Sequence, residues 1–175
     1  SKVCEFVPLI KSGHSVGQLP AVPEMTDITS FLGFYYPPRA KQGNITIENA
    51  FKAWPKLEAI AAKKNLQLGS PAPTSDKNGM AWHKKCMEEA QKRKLRVDFV
   101  AIHWYRSRKA DEFEAFVKSL TKEFCKPIWV TEFNAWTGPE EENYEFLRDS
   151  LKFLERNSDV ERYAYFNPKK GAPHG

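Results

Sequence analysis

An α/β fold built around a parallel sheet is predicted by two features of the sequence. Short β-branched or aromatic runs alternate with longer amphipathic segments, and unusual side chains gather where the runs end. In order, VCEFVPLI (3–10) and ITSFLGFYY (28–36) read as strands, each rich in apolar residues and closed by Lys or Pro. Residues 47–64 read as a helix. Thr46 caps its start, Glu48 suits the positive end of its dipole, and Pro55 is expected to kink or restart it after Trp54. LQLGS (66–70) gives a third strand, 80–93 a second helix, and VDFVAIHWY (97–105) a fourth, nearly continuous apolar strand. A helix over 111–124, the strand PIWVTEF (127–133), a helix over 144–157 and the strand ERYAYFN (161–167) complete the series. Such alternation implies right-handed crossovers and a sheet covered on both faces, with ligands at the carboxyl edge of the strands. Periodicity leaves open whether the sheet closes on itself.

The 175 residues, 41% hydrophobic and 28% charged, suit one folded domain, and no run approaches the length of a membrane helix. The N-terminal run is too short for a retained signal peptide, and a start at Ser1 reads as a processed or trimmed boundary. Lys and Arg total 27 against 22 Asp and Glu, a net charge of +5. The densest basic stretch (Lys84, Lys85, Lys92, Arg93, Lys94, Arg96) is interrupted by Met87, Glu88, Glu89 and Ala90, as on a solvated helix face, so neither a nucleic-acid nor a membrane partner is expected. Cys4, Cys86 and Cys125 lack zinc-site spacing; they are expected as buried core residues, one disulfide plus a free thiol being the alternative. No phosphate-cradling loop, nucleophile elbow or zinc helix occurs, and no metal or cofactor is expected.

The strand ends carry the candidate chemistry. In WVTEFNAW, Glu132 follows an apolar strand between aromatic residues, a carboxylate at the functional edge; the plainer alternative is a strand-end Glu paired with a surface cation. In DFVAIHWY three ring side chains end the strand: aromatic rings suit the apolar faces of sugars and imidazole suits their hydroxyls, although Trp104 and Tyr105 would equally cap a core. Tyr35 and Tyr36 read either as a stacking platform or as strand-end packing. Asn44-Ile45-Thr46 is an N-glycosylation sequon, consistent with an extracellular route, and also the helix start.

Taken in order, EFVPL, LGF-x-x-P, WPKL, LGSPA, VDFVAIHWY, PIWVTEFN and RYAYF resemble the glycosyl hydrolase catalytic core of glycoside hydrolase family 128 over residues 4–166. The resemblance implies a (β/α)₈ TIM-type barrel over 1–175 as a single domain, endo-β-1,3-glucanase activity with retention, and a β-glucan partner; related fungal proteins occur in cell walls. It implies Glu132 as nucleophile on the seventh barrel strand. His103, Trp104 and Tyr105 would line the sugar cleft after the sixth strand, with Tyr35, Ser70, Asn134 and Trp136 as further substrate-binding positions.

The family's acid/base glutamate lies in an LGFNEPD motif, which here reads Leu32, Gly33, Phe34, Tyr35, Tyr36, Pro37, Pro38. Tyr36 stands at the glutamate's position. Retaining hydrolysis uses two carboxyl groups about 5 Å apart, and a phenol with a pKa near 10 is a poor acid near neutrality. Glu5, Asp76, Glu140 and Glu141 are the candidate compensating carboxylates. The competing expectation is a glucan-binding or structural pseudoenzyme, and a third is an engineered or cropped derivative of an active enzyme. Such barrels typically take about 250 residues. Six strands are read in 175 residues, and the resemblance begins at the family's third strand; it thereby implies that the first two strands belong before Ser1, leaving a sheet edge for another segment or partner chain to cover.

Overall fold

The computed structural model describes residues 6–11, 28–37, 45–135 and 138–166. Cys4, Glu5, Pro38, Asn44, Trp136 and Asn167 lie outside them. The chain divides into two compact units, Ser1–Ala101 and Ile102–Gly175.

The first unit holds β1 (Leu9–Ile10), β2 (Ser30–Phe34), α1 (Ile47–Lys64), β3 (Gln67–Leu68), α2 (Lys77–Lys92) and the start of β4 (Val100–Trp104). β1, β2 and β3 form a parallel sheet in that order, Leu9 opposite Leu32 and Ser30 opposite Gln67. After β3, Gly69 bridges Phe99 in the parallel sense, and the Asp98 and Ser70 amides donate to Leu68 and Phe99 carbonyls at 2.8 and 2.9 Å. The core is aromatic and aliphatic: Phe31, Phe34, Trp54, Leu57 and Leu68 are all fully buried. Gly33 has a steric reason. A Cβ there would lie 2.9 Å from the Gly69 carbonyl oxygen, so the β2 backbone passes the neighbouring chain at a distance no other residue allows.

α1 begins as the sequence predicts, Thr46 Oγ1 accepting from the Asn49 amide at 3.2 Å, and ends at a left-handed Asn65. It does not restart at Pro55: one helix runs from Ile47 to Lys64 with the proline inside. Packing overrides the lost amide donor, because Phe51, Trp54 and Leu57 are buried around it and Trp54 Nε1 donates to the Arg96 carbonyl at 2.9 Å. α2 is capped by Asp76, whose Oδ1 accepts from the Gly79 amide at 2.9 Å. Its Lys84, Lys85 and Lys92 are exposed while His83, Cys86, Met87 and Ala90 are buried, an amphipathic surface helix.

The second unit holds the rest of β4, α3 (Ala110–Phe124), β5 (Ile128–Phe133), α4 (Glu140–Arg156) and β6 (Val160–Tyr165), with strand order β4-β5-β6 and β5 parallel to β6. Both helices carry acidic first turns, Asp111 and Glu112 in α3 and Glu140 to Glu142 in α4, which complement the helix dipole. Phe113 is the hub of the core: its ring stacks on Phe133 at 5.5 Å and meets Trp104, Phe146 and Phe153 at 5.4, 6.1 and 6.2 Å.

The cysteines divide. Cys86 is buried, and burial pushes its thiol up to about 12. Cys125, expected in the core, is exposed, because it is the left-handed residue (φ 49°) that terminates α3 at the surface.

Candidate active site

The fully buried β4 delivers two ring side chains to one side and one to the other, as strand alternation requires. His103 and Tyr105 point toward Glu132 of β5. The Tyr105 hydroxyl donates to Glu132 Oε2 at 2.6 Å, and His103 Nε2 lies 4.0 Å from Oε1. Burial drives the His103 pKa down to about 4 against the opposing pull of Glu132, so the imidazole is neutral at pH 7 and the pair is not an ion pair there. Glu132 keeps 16% of its side-chain surface open. A bulge helps to aim it. Val130 is opposite Tyr163 but Phe133 is opposite Tyr165, so β5 holds one extra residue around Thr131 and Glu132. The Thr131 hydroxyl donates to the Ile102 carbonyl at 3.1 Å and fixes the bulged segment to β4.

Trp104 requires a correction. Expected to line a sugar cleft, it is 2% exposed on the opposite side of β4, packed on Phe113 and Phe116, with its Nε1 donating to the Ser107 carbonyl at 3.0 Å. Alternation forces this: once His103 and Tyr105 face Glu132, the residue between them faces the helices. Asn134 is also tied up structurally. Its amide donates to the Trp104 carbonyl at 3.1 Å, its Nδ2 to the Phe166 carbonyl at 2.5 Å, and its Oδ1 accepts from the Tyr165 hydroxyl at 3.1 Å. A cleft of about 640 Å³ opens beside Tyr105 and Asn134, with Arg106, Arg108, Glu142 and Asp149 in its walls. Arg108 pairs with Glu142 at 3.0 Å and its guanidinium covers Gly138, whose φ of 107° and lack of Cβ permit the approach.

Ser70, Tyr35 and Tyr36 belong to the first unit. Ser70 is a second correction: it is fully buried and its hydroxyl is spent on the Pro71 carbonyl at 2.8 Å, the Ala101 amide at 2.9 Å and His83 Nε2 at 3.2 Å. With the hydroxyl proton given to Pro71, His83 must donate from Nε2. Tyr36 is 5% exposed, its φ of 44° is in the left-handed region, and its ring meets that of Tyr35 edge-on at 4.4 Å. A bulky residue held there, directly before Pro37, stores backbone strain. Asp76 is committed to its cap, and Glu140 and Glu141 lie exposed in the first turn of α4.

One residue escaped the sequence reading. Phe166, just past β6, sets its ring edge-on to Tyr105 at 6.0 Å and remains 38% exposed. The available signal was its position at a strand's carboxyl end.

Residues 1–174 match the profile of the glycosyl hydrolase catalytic core family. The chain belongs to this family. It is similar to a subgroup VI exo-β-1,3-glucanase of glycoside hydrolase family 128 from Aureobasidium namibiae, at 25% identity and a TM-score of 0.87 over 97% of this chain and 68% of that one. It is also similar to a subgroup I endo-β-1,3-glucanase of family 128 from Amycolatopsis mediterranei, solved with laminaritriose, at 30% identity and a TM-score of 0.81 over 93% of this chain and 71% of that one. The catalytic core is therefore one of family 128, and its fold is α/β, of the family's TIM-barrel type, with six strands and four helices among the described residues. Alkali-sensitive linkage protein 1 of Schizosaccharomyces pombe is 33% identical over 108 residues, 58% of this chain. The chain spans 19% of the length of that curated relative.

Proposed function

We propose that residues 1–175 act as a single β-1,3-glucan-directed domain in which Glu132 is the nucleophile of a retaining glycosyl transfer. One observation carries the reading: a strand-end carboxylate, partly open, held by the Tyr105 hydroxyl at 2.6 Å beside a buried neutral histidine. The hydrogen bond orients the Glu132 carboxyl group, and the uncharged His103 does not pair with it as a cation. In the first step a Glu132 oxygen bonds to that carbon while the bond to the leaving glucosyl oxygen breaks. That oxygen must take a proton. In the second step water replaces Glu132 and loses a proton. Relatives that carry β-1,3-glucanase activity and bind laminari-oligosaccharides support the choice of glucan.

Tyr36 favours a second reading, a glucan-binding pseudoenzyme, because a buried phenol stands at the motif position of the proton donor. An extracellular or cell-wall setting belongs to the same proposal and rests on the Asn44–Thr46 sequon and the family resemblance. So does a further segment or partner chain along the edge strands, supported by the 44% exposure of Leu9 in β1 and the partly exposed residues of β6.

Reducing-sugar release from laminarihexaose separates the readings. With Glu132 as nucleophile, Tyr36→Glu raises turnover by about 10²-fold or more, the usual worth of a general acid, and Glu132→Gln abolishes it in either background. Turnover that survives Glu132→Gln contradicts the nucleophile assignment. Binding without turnover in both the unmodified chain and Tyr36→Glu supports the pseudoenzyme.

A further inference from the structure

α2 opens on a chemically vulnerable pair. Asn78 and Gly79 are adjacent in its first turn, Asn78 exposed and Gly79 buried. A glycine after an asparagine leaves the amide nitrogen between them unshielded, since no Cβ limits its approach to the asparagine side chain. In an open chain that nitrogen, once it has passed its proton to solvent, bonds to the side-chain amide carbon of the asparagine, and ammonia departs. The five-membered imide that results takes up water at either carbonyl. One opening gives aspartate; the other gives isoaspartate, with the backbone rerouted through the former side chain.

The fold imposes the glycine and guards it. A Cβ at residue 79 would lie 2.0 Å from the carbonyl oxygen and 2.3 Å from the Oγ1 of Thr74, which is itself buried, so only glycine fits. The Gly79 nitrogen, the atom that would attack, donates its hydrogen to Asp76 Oδ1 at 2.9 Å, and the Met80 amide donates to the Asp76 carbonyl at 2.9 Å. A proton held by a carboxylate is harder to remove than one facing water. Helical backbone at Asn78 also turns the Gly79 nitrogen away from the Asn78 side-chain carbon. Both protections end together when the first turn opens, and Asp76 is the residue that holds it closed.

We propose that Asn78 is a deamidation site gated by the Asp76 cap, so that opening of the first turn of α2 sets the rate of modification. The two products differ in consequence. Aspartate at residue 78 places a negative charge near the positive end of a helix whose first turn has no acidic residue, which α2 tolerates. Isoaspartate inserts an extra backbone carbon before Gly79 and pulls it away from Thr74 and Asp76. That damage spreads beyond the turn, because α2 also carries His83 to the Ser70 hydroxyl at 3.2 Å. The chain thereby ages by a route independent of Glu132.

The test is peptide mass mapping of the full chain incubated at pH 8, native and in guanidinium chloride, with chromatography to separate aspartate from isoaspartate at residue 78. Deamidation is expected to be fast in the denaturant and slow in the native chain. Under native conditions Asp76→Ala is expected to speed it about two- to thirtyfold, the change in open population that loss of a cap allows. Asp76→Ser keeps an acceptor and should stay within about twofold of the unmodified chain. Thermal melts show that each variant is folded, and the isoaspartyl fraction should melt below the unmodified chain. The native and denatured rates of the unmodified chain decide the gating even if Asp76→Ala does not fold. Equal rates in the two states overturn the gating, and a folded Asp76→Ala that reacts no faster than the unmodified chain overturns the part given to the cap. An Asn78 that stays intact in guanidinium chloride overturns the site.

Discussion

At the scale of single residues, the account turns on the Glu132 carboxylate and the two side chains beside it, Tyr105 and His103. Removing the Tyr105 hydroxyl deletes a charge-assisted hydrogen bond, worth about 1.5–3 kcal/mol. Tyr105→Phe should therefore lower kcat/KM on laminari-oligosaccharides by about 10- to 100-fold, with a smaller change in Tm, measured by steady-state kinetics and thermal melts. His103 makes a separate prediction. Its pKa of about 4 lies below the ordinary value of 6.5, so between those pH values the unfolded chain binds a proton that the native chain refuses. Stability should be level above about pH 6.5 and fall as pH drops toward 4, by roughly 3 kcal/mol for this group. Urea unfolding at pH 7, 5.5 and 4.5 measures the slope, and His103→Gln should flatten it. That Glu132, His103 and Tyr105 come together at one edge is legible in the sequence, because all three stand at the ends of neighbouring parallel strands. Trp104 and Ser70 were misread because composition at a strand end does not say which way a side chain points, and Phe166 was passed over because a lone Phe closing an aromatic strand looks like core.

At the scale of elements, local pattern foretold nearly everything. The helix expected over 47–64 is α1 to the residue, and the other three differ by a few residues at their ends, where Asp76 and the acidic first turn of α4 start helices earlier than their apolar periodicity does. Pro55 is the instructive difference: three buried side chains outweigh one missing donor. The strand expected over 66–70 is shorter in the structure, Gln67–Leu68, because Gly69 and Ser70 are buried with only an isolated bridge from Gly69 to Phe99. Ser70 works at this scale. It joins the end of β3 to β4 and, through His83, to α2. Ser70→Ala strands the Ala101 amide and the His83 Nε2–H, and should cost about 1–3 kcal/mol in urea unfolding while laminarihexaose affinity of the folded protein is unchanged. A lost affinity with unchanged stability would return Ser70 to the binding site.

At the scale of the whole molecule, family membership joins a substituted motif. Glu132, with the Tyr105 hydroxyl on one oxygen and His103 near the other, is the strand-end carboxylate that we propose as nucleophile, and Tyr36 stands where the family resemblance expects the proton donor. Sequence order alone exposed that substitution; the neutral state of His103, the bulge at Glu132 and the bond from Asn134 to the Phe166 carbonyl required coordinates, because each depends on register between strands distant in sequence. The central claim is that Glu132 is a working nucleophile whatever stands at residue 36. An aryl laminaribioside whose nitrophenolate leaves without protonation removes the need for a general acid and isolates the first step. Rapid mixing followed by peptide mass mapping should show a burst of up to one nitrophenolate per chain, slow turnover after it, and a glycosyl adduct on Glu132 that vanishes in Glu132→Gln. A burst that persists in Glu132→Gln, an adduct on another residue, or no burst from a chain that binds the glycoside would contradict it.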